Sequence, residues 1–198
     1  MYRKKYILLL MFNICFAHLY FGQQADTNNI PKQLNNPSSS FSEKVFFGGN
    51  LSFNIYNGWI LSEVSPFVGY KIKPKVSSGI GFKYMYIGST VDDLSYSYYG
   101  GNLFGRYSIN NNFLIHSEYE ILNVYELRPL PFPNGERAVA NIFQLGGAYS
   151  SYVGSKASVQ ILLLYDLIND VNSPYRPYYL FGSSGPPITY RVGFSYNF

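Results

Sequence analysis

The sequence predicts an all-β protein that folds as an eight-stranded, antiparallel, up-and-down transmembrane β-barrel. The chain ends in a strictly alternating stretch, Ile188–Phe198, whose apolar and polar side chains would occupy opposite faces of one strand. Seven further segments alternate in the same way, and the connections between them are alternately short and long. Only 13% of the residues are charged and 19% are aromatic, whereas a soluble domain averages about 25% charged residues.

The first 22 residues have the pattern of a secretory signal peptide. A basic start at Arg3–Lys5 precedes an apolar run, and small or polar residues follow it. A membrane-anchoring helix is the alternative, but the apolar run is short and is interrupted by Asn13 and His18. Because the only cysteine, Cys15, lies in this segment, the mature chain is expected to form no disulfide and to use no thiol chemistry.

Residues 23–43 are predicted to be a flexible segment, and residues 44–198 the barrel. The segment is rich in Asn, Gln, Ser and Pro, and it offers too little apolar surface to offset the entropy of ordering. Removal of the three basic residues of the signal peptide lowers the net charge from +4 to +1. No basic patch suited to nucleic acid then remains, so we expect no nucleic-acid partner.

Eight segments of the mature chain alternate between apolar and polar side chains. They are Val45–Tyr56, Ile60–Ile72, Val76–Ile87, Tyr98–Ile109, Phe113–Val124, Val139–Tyr149, Lys156–Leu167 and Ile188–Phe198. The residues predicted to point outward include Leu51, Phe53, Val64, Val68, Phe82, Tyr84, Leu103, Tyr107, Ile115, Ile121, Leu145, Tyr149, Ile161, Leu163, Val192 and Phe194. The sixth segment is the weakest, because small residues blur its alternation.

The connections between these segments also follow a pattern. Asn57-Gly58 is a strong signal for a two-residue hairpin turn. Short turns are predicted at 73–75, 110–112 and 152–155, and longer connections at 88–96, 126–137 and 168–187. Bacterial membrane barrels have an even number of strands, short periplasmic turns and longer external loops. Both ends of the mature chain, including the segment 23–43, are therefore expected on the periplasmic side.

A water-soluble barrel such as a lipocalin is the alternative with the same strand pattern. Its polar faces would point to water and would carry many Lys and Glu side chains. Here the polar faces consist mainly of Asn, Ser, Gly, Gln and Thr. The apolar faces carry large Tyr and Phe side chains near the strand ends, as the two membrane interfaces require. These observations favour the membrane barrel.

The inside of an eight-stranded barrel is just wide enough for side chains to fill it. The residues predicted to point inward and to form a polar network are Glu63, Lys83, Arg106, His116, Glu118, Glu120, Asp166 and Arg191. A polar plug that holds the barrel rigid is the favoured interpretation. A narrow channel, with a gated proton or ion path through His116, Glu118 and Glu120, is the alternative.

Hairpin geometry predicts pairs within this network. Across the turn between the second and third strands, Glu63 lies roughly opposite Lys83. Across the turn between the fourth and fifth strands, Arg106 lies opposite His116, with Glu118 one step away on the diagonal. Charges in a low-dielectric interior must be paired and hydrogen-bonded, so these pairs are expected to be in contact.

A lipid-modifying enzyme of the deacylase or acyltransferase type is a second alternative. Barrel lipid deacylases place a His and a Ser on one outward face with a Glu nearby, so that the base reaches the hydroxyl. Here His116 and Ser117 are adjacent and must point to opposite faces, so we predict that the chain is not an enzyme. A single mature histidine and scattered carboxylates also lack metal-ligand spacing, and neither a metal nor a cofactor is expected.

The two longest connections are the predicted binding regions. Aromatic and Arg side chains are the usual energetic centres of protein interfaces. The candidates for binding a partner protein or a surface ligand are Phe132, Tyr175, Arg176, Tyr178 and Tyr179. The alternative is that these loops pack on themselves over the mouth of the barrel.

Four stretches carry a family resemblance: Phe47–Phe53, Ser65–Tyr70, Glu118–Val124 and the closing strand. In them the chain resembles the small outer-membrane β-barrel proteins of the Bacteroidetes type, over about residues 44–198. The resemblance implies an outer-membrane location and a barrel fold, and no catalytic residue is carried over from it. Some relatives bear an α-ketoglutarate decarboxylase label, but this chain has neither the length nor the residues for a thiamine-diphosphate site.

The closing strand itself resembles the terminal targeting strand of bacterial outer-membrane barrels. Tyr196 and Phe198 are therefore the expected assembly signal, read by the barrel assembly machinery during biogenesis. The other expected partners are outer-membrane lipid, lipopolysaccharide and a larger outer-membrane protein complex. Arg191 of the same strand is expected to point inward, towards Asp166.

Overall fold

A computed structural model describes residues 41–56, 58–91, 93–126, 135–176 and 186–198. One helical turn, α1 (Phe41–Lys44), precedes the strands, and it includes the last three residues of the segment predicted to be flexible. The strands are β1 (Val45–Tyr56), β2 (Trp59–Lys73), β3 (Val76–Ser89), β4 (Ser95–Ser108), β5 (Phe113–Tyr125), β6 (Arg137–Val153), β7 (Ala157–Asp166) and β8 (Ile188–Asn197). Among the described residues, no helix is long and apolar enough to cross a membrane.

Each strand pairs antiparallel with the next one in the chain, and β8 pairs with β1, so the sheet closes into a barrel. The predicted all-β, eight-stranded, up-and-down barrel is therefore confirmed for the described residues. We call the end where β1 begins and β8 ends the terminal end. The opposite end, which carries the connections after β3, β5 and β7, is called the loop end.

Turn chemistry sets the hairpin register where the sequence predicts it. Gly58 adopts a positive φ of 84° in the β1–β2 turn, a conformation that glycine tolerates best. In the β4–β5 turn, the side-chain oxygen of Asn110 accepts hydrogen bonds from the backbone N–H groups of Asn112 and Phe113 at 2.9 and 2.8 Å. These side-chain bonds replace backbone partners and explain why a run of asparagines turns the chain so tightly.

The largest difference from the predicted boundaries is in β6, which extends from Arg137 to Val153. The sequence predicts only Val139–Tyr149. The additional residues pair with β5 as far as Tyr125 opposite Arg137, and with β7 as far as Val153 opposite Ala157. Pairing with β5 at one end and with β7 at the other thus extends the strand through residues whose own alternation is weak.

The outward rows of the barrel are apolar and exposed. Leu103 and Leu163 are 56% and 58% exposed, although burial is the usual state of leucine. Of the outward-pointing strand residues that the structure describes, two are charged: Arg137 at the loop end, and Lys73 at the terminal end, where a bulge pairs it with Val76. A surface with this composition is unsuited to water.

Many of the outward aromatic side chains lie towards the two ends of this surface, and between them aliphatic residues alternate with Phe82, Tyr119 and Phe194. Near the terminal end are Phe47, Tyr70, Tyr107, Phe113, Tyr149, Tyr196 and Phe198. Near the loop end are Phe53, Tyr84, Tyr86, Tyr99, Tyr165 and Tyr190. Neighbouring rings touch, with 5.5 Å between the centroids of Phe47 and Tyr196 and 5.3 Å between those of Phe113 and Tyr149.

The interior is less polar than the sequence suggests, because apolar layers lie on both sides of a charged centre. The layer at the loop end contains Leu61, Met85, Ile87, Tyr98, Leu122, Val124, Ala140, Ile142 and Tyr175. The layer at the terminal end contains Phe46, Phe67 and Phe104. Leu114, Ala148, Leu162 and Leu164 pack along the wall between them. Most charged residues of the predicted polar plug therefore occupy the middle of the lumen, between apolar layers.

Inward-facing glycines make room for the aromatic layer at the terminal end. A Cβ on Gly79 would lie 2.5 Å from the ring of Phe104 and 2.7 Å from the backbone of Gly69. A Cβ on Gly69 would overlap the ring of Phe46. The narrow barrel thus holds three phenylalanine rings at one level because the facing wall positions carry no side chain.

Candidate functional site

Five charged side chains from four strands meet at the centre of the barrel. Glu63 comes from β2, Lys83 from β3, Glu118 and Glu120 from β5, and Arg191 from β8. All five are between 0% and 1% exposed. Strand parity brings them together, since each occupies an inward position at a similar height. We call these residues the central cluster.

Lys83 contacts all three carboxylates of the central cluster. Its Nζ lies 3.3 Å from Glu63 Oε1 and 3.2 Å from Glu118 Oε1. It also donates a hydrogen bond to Glu120. The contact with Glu63 forms although the register places Met85, not Lys83, directly opposite Glu63. The predicted pair is therefore present, but it is reached along the diagonal.

Arg191 contacts the same three carboxylates from the other side of the lumen. Its Nε lies 2.8 Å from Glu63 Oε1, and its Nη1 and Nη2 lie 2.8 and 2.9 Å from Glu118 Oε2 and Glu120 Oε1. The Nη2 group also donates to the Gln144 side-chain oxygen at 2.6 Å. A planar guanidinium can serve several acceptors at fixed angles, which an ammonium group cannot.

Tyr175, from the β7–β8 connection, completes this arrangement. Its hydroxyl oxygen lies 3.0 Å from Lys83 Nζ and 3.1 Å from Arg191 Nη2, both of which donate to it. The same hydroxyl lies 3.2 Å from Oε2 of both Glu63 and Glu120. It has one hydrogen and can donate to only one of them at a time. Burial raises the pKa of Tyr175 well above its ordinary value, and the charge of Glu120 raises it further, so the phenol keeps that hydrogen.

Asp166 holds the connection that carries Tyr175. Its Oδ1 accepts hydrogen bonds from the backbone N–H groups of Ile168 and Asn169, each at 3.1 Å, and its Oδ2 accepts one from the hydroxyl of Ser173 at 2.9 Å. The expected pairing of Asp166 with Arg191 is wrong. Asp166 is buried, as predicted, but it binds the backbone and a serine of its own connection.

Arg106 and His116 form a hydrogen-bonded chain that reaches Glu118 of the central cluster from the terminal end. The Nε–H of Arg106 donates to His116 Nδ1 at 3.2 Å, and His116 Nε2 lies 3.0 Å from Glu118 Oε2. Arginine offers only donors, so His116 Nδ1 must be an acceptor. The imidazole is then the neutral tautomer that donates from Nε2 to Glu118. Arg106 and His116 are directly opposite each other, as the hairpin register predicts.

The guanidinium of Arg106 lies inside the aromatic layer of the terminal end. It is 4.6 Å from the ring centroid of Phe104, 4.7 Å from that of Phe67 and 5.9 Å from that of Phe46. Cation–π attraction offsets part of the cost of taking this charge out of water. Among the described residues, Nη2 of Arg106 has no hydrogen-bond partner.

His116 and Ser117 point to opposite faces of β5, as their parity predicts. Ser117 lies on the outward side, and its hydroxyl is 3.4 Å from the backbone oxygen of Gly105. His116 points inward to Glu118. In the described part of the chain, no group of three His, Cys, Asp or Glu side chains is placed to hold a metal ion.

Two of the five loop candidates can be placed. Tyr175 is 6% exposed and belongs to the interior, so its predicted role as a partner-binding residue is wrong. Arg176, the next residue, is half-buried. Phe132, Tyr178 and Tyr179 lie outside the described residues. The predicted signal peptide and most of the segment 23–43 also lie outside them.

The predicted assembly signal lies on the outward surface at the terminal end. Phe198 is 55% exposed, and its ring centroid is 5.4 Å from that of Phe47 and 6.1 Å from that of Tyr196. These residues join the closing strand to the first strand of the barrel.

Comparison with known proteins does not assign the chain to a family. No protein-family model matches the chain, and no curated protein matches it. The interpretation of function therefore rests on the outward surface, the filled interior and the loop end.

Proposed function

We propose that the protein is a small outer-membrane β-barrel with a filled lumen, and that it has a structural or ligand-binding role through its external loops. The observation that carries this proposal is the outward surface. Its described strand residues include two charged side chains, each at a strand end, and rows of exposed apolar residues lie between those ends. Lipid is the solvent that such a surface requires, because a water-facing barrel would bury these residues and expose the charges.

The orientation follows from the connections. The two longest connections, after β5 and β7, are at the loop end, together with the short β1–β2 turn and residues 90–94 after β3, whereas the turns at the terminal end are all short. In bacterial membrane barrels the short turns are periplasmic and the long loops are external. The likeness of the closing strand to a targeting strand supports the same orientation, with Tyr196 and Phe198 presented to the barrel assembly machinery from the periplasmic side.

A filled lumen supports a structural role over a transport role. Lys83 and Arg191 hold three carboxylates in the centre, and apolar layers lie above and below them. A water-filled path would need the side chains of all three levels to move. The same ion pairs link β2, β3, β5 and β8 across the barrel, and they resist changes in its shape.

The regions 126–137 and 168–187 are the proposed external binding sites. They would bind a surface-exposed glycan or a partner protein in an outer-membrane complex. Since Tyr175 is buried in the interior, the binding role in the second region is proposed for the residues that follow it. Replacing residues 178–184 with a Gly/Ser segment of equal length should preserve the barrel and abolish co-purification of the partner. A partner that still co-purifies would assign binding elsewhere.

Membrane placement is tested by fractionating the native cell envelope. We expect the mature chain, without its first 22 residues, in the outer-membrane fraction. An unheated sample should migrate faster in gels than a boiled one, because a closed barrel resists detergent until it is heated. Recovery of the chain as a soluble periplasmic protein would contradict the proposal.

A further inference from the structure

Arg137 occupies an unusual place in this surface. It is the first residue of β6 and points outward at the loop end, where Tyr125 on β5 is directly opposite it. A charged side chain on the outward face of a membrane barrel costs free energy at every depth except near the interfaces. At the loop end this cost is small, so the inference rests on the contacts of Arg137 and not on its depth.

The guanidinium of Arg137 is held against the barrel wall. It lies 3.8 Å from the ring centroid of Tyr125 and 5.5 Å from that of Tyr99. Its Nη1 donates to the backbone oxygen of Ser97 at 2.9 Å and to the side-chain oxygen of Asn123 at 3.1 Å. Stacking and two hydrogen bonds fix the orientation of the group, whereas an arginine that only reaches for water needs no fixed orientation.

Further polar groups lie beside Arg137 on the outward face of β3 to β6. The hydroxyl of Tyr119 donates to the side-chain oxygen of Asn141 at 3.0 Å, which leaves the amide N–H₂ of Asn141 as a donor. The hydroxyls of Tyr84 and Ser97 are 3.0 Å apart. Together with Arg137 and Asn123, these residues form a polar sector towards the loop end of the outward surface.

We propose that this sector binds a phosphate group on an anionic glycolipid of the outer leaflet. The inference rests on the proposed membrane placement, which puts the loop end at the outer leaflet. The contacts of Arg137 with described residues use Nη1, and in the proposed complex Nε and Nη2 donate to the phosphate. Phosphate accepts such paired donors in a bidentate geometry. Amide and hydroxyl groups alongside suit the polar groups of a sugar headgroup.

The test uses the full mature chain refolded into phosphatidylcholine bilayers. Binding is measured for bis-phosphorylated lipid A, dephosphorylated lipid A and phosphatidylglycerol, by native mass spectrometry of the released barrel. We expect wild type to retain phosphorylated lipid A in preference to the other two lipids. Arg137→Gln should weaken that binding on the order of tenfold or more, as loss of a charge-assisted hydrogen bond implies. Arg137→Lys should bind with an intermediate affinity.

Lys75→Gln is the matched control, because it removes one positive charge from an exposed turn at the terminal end. It should leave lipid A binding unchanged. Equal retention of phosphorylated and dephosphorylated lipid A by wild type would overturn the proposal without use of any variant. If phosphatidylglycerol were retained as well as phosphorylated lipid A, the site would not select a glycolipid, and that part of the proposal would be wrong. Failure of wild type to enter bilayers at all would instead contradict the proposed membrane placement.

Discussion

The central cluster joins three buried carboxylates to two buried cations. Arg191 contacts Glu63, Glu118 and Glu120 within 2.9 Å, so its removal would leave each acid with fewer partners. Removing one member of a buried ion pair is costly because the remaining charge stays buried without compensation. The stability of the barrel should therefore depend on Arg191 more than on any exposed charge.

Arg191→Met is expected to lower the free energy of unfolding by about 3–5 kcal/mol, the usual cost of breaking a buried ion pair. Urea unfolding of the barrel in lipid bilayers measures this change. Lys156→Met removes a charge from an exposed turn and should change the free energy by less than about 0.5 kcal/mol. Equal effects of the two substitutions would contradict the structural importance of the cluster.

Tyr175→Phe removes only the hydroxyl that contacts Lys83, Arg191 and the two acids. We expect a loss of about 1–3 kcal/mol, because buried donors and acceptors are left unsatisfied. Amide hydrogen exchange should become faster at 168–176 and stay unchanged in the strands. Tyr152→Phe, at an exposed position, is the control. Unchanged exchange at 168–176 would show that the hydroxyl does not hold the connection in place.

At the scale of the strands, side-chain parity was the reliable part of the prediction. Leu103 and Ile161 point outward and Glu118 and Gln144 point inward, as a period of two requires. The apolar inner layers were not predicted. Leu122 lies two residues after Glu120 and points to the same, inward side. Its residue type alone does not distinguish it from the apolar residues that point outward. The neighbours of an inward residue come from distant strands, and only the closed barrel shows which of these neighbours are apolar.

Gly79→Val tests how tightly the strands pack around the aromatic layer. The added side chain would meet Phe104 and the backbone of Gly69, so we expect destabilisation of about 1–3 kcal/mol from overpacking. Gly101→Val is the outward control. The closest heavy atom to its Cβ would be the backbone oxygen of Gly81 at 3.7 Å, and a β-branched residue suits a strand. Refolding yield and urea unfolding of the two variants give the comparison, and equal stability would contradict the packing argument.

At the scale of the whole molecule, local patterns could predict the closed barrel and its loop end, but not the inward fold of the β7–β8 connection. Tyr175 lies in a stretch of prolines, glycines and aromatics that is typical of an exposed loop. Its place in the interior depends on Asp166 and on carboxylates from distant strands. The alternation of residues along the sequence does not predict contacts between distant segments. The predicted pairing of Asp166 with Arg191 was wrong for the same reason.

A filled lumen should not conduct ions. In planar bilayers we expect no conductance steps from wild type or from Glu118→Ala, because apolar layers close both sides of the central cluster. A general porin added afterwards is the positive control, because its conductance steps show that a pore in this bilayer would be detected. Stable, voltage-independent steps from the purified wild-type barrel would favour the channel alternative.

Lipid contact along the outward rows is the central claim, and β7 offers the most direct test of it. The mature chain has no cysteine if residues 1–22 are removed, so single cysteines can be introduced and spin-labelled at 160, 161, 162 and 163 in outer-membrane vesicles. We expect labels at 161 and 163 to be relaxed more strongly by oxygen, which concentrates in lipid, than by a water-soluble nickel chelate. Stronger relaxation by the nickel chelate at 161 and 163 would show that water covers this surface, and it would contradict the membrane barrel.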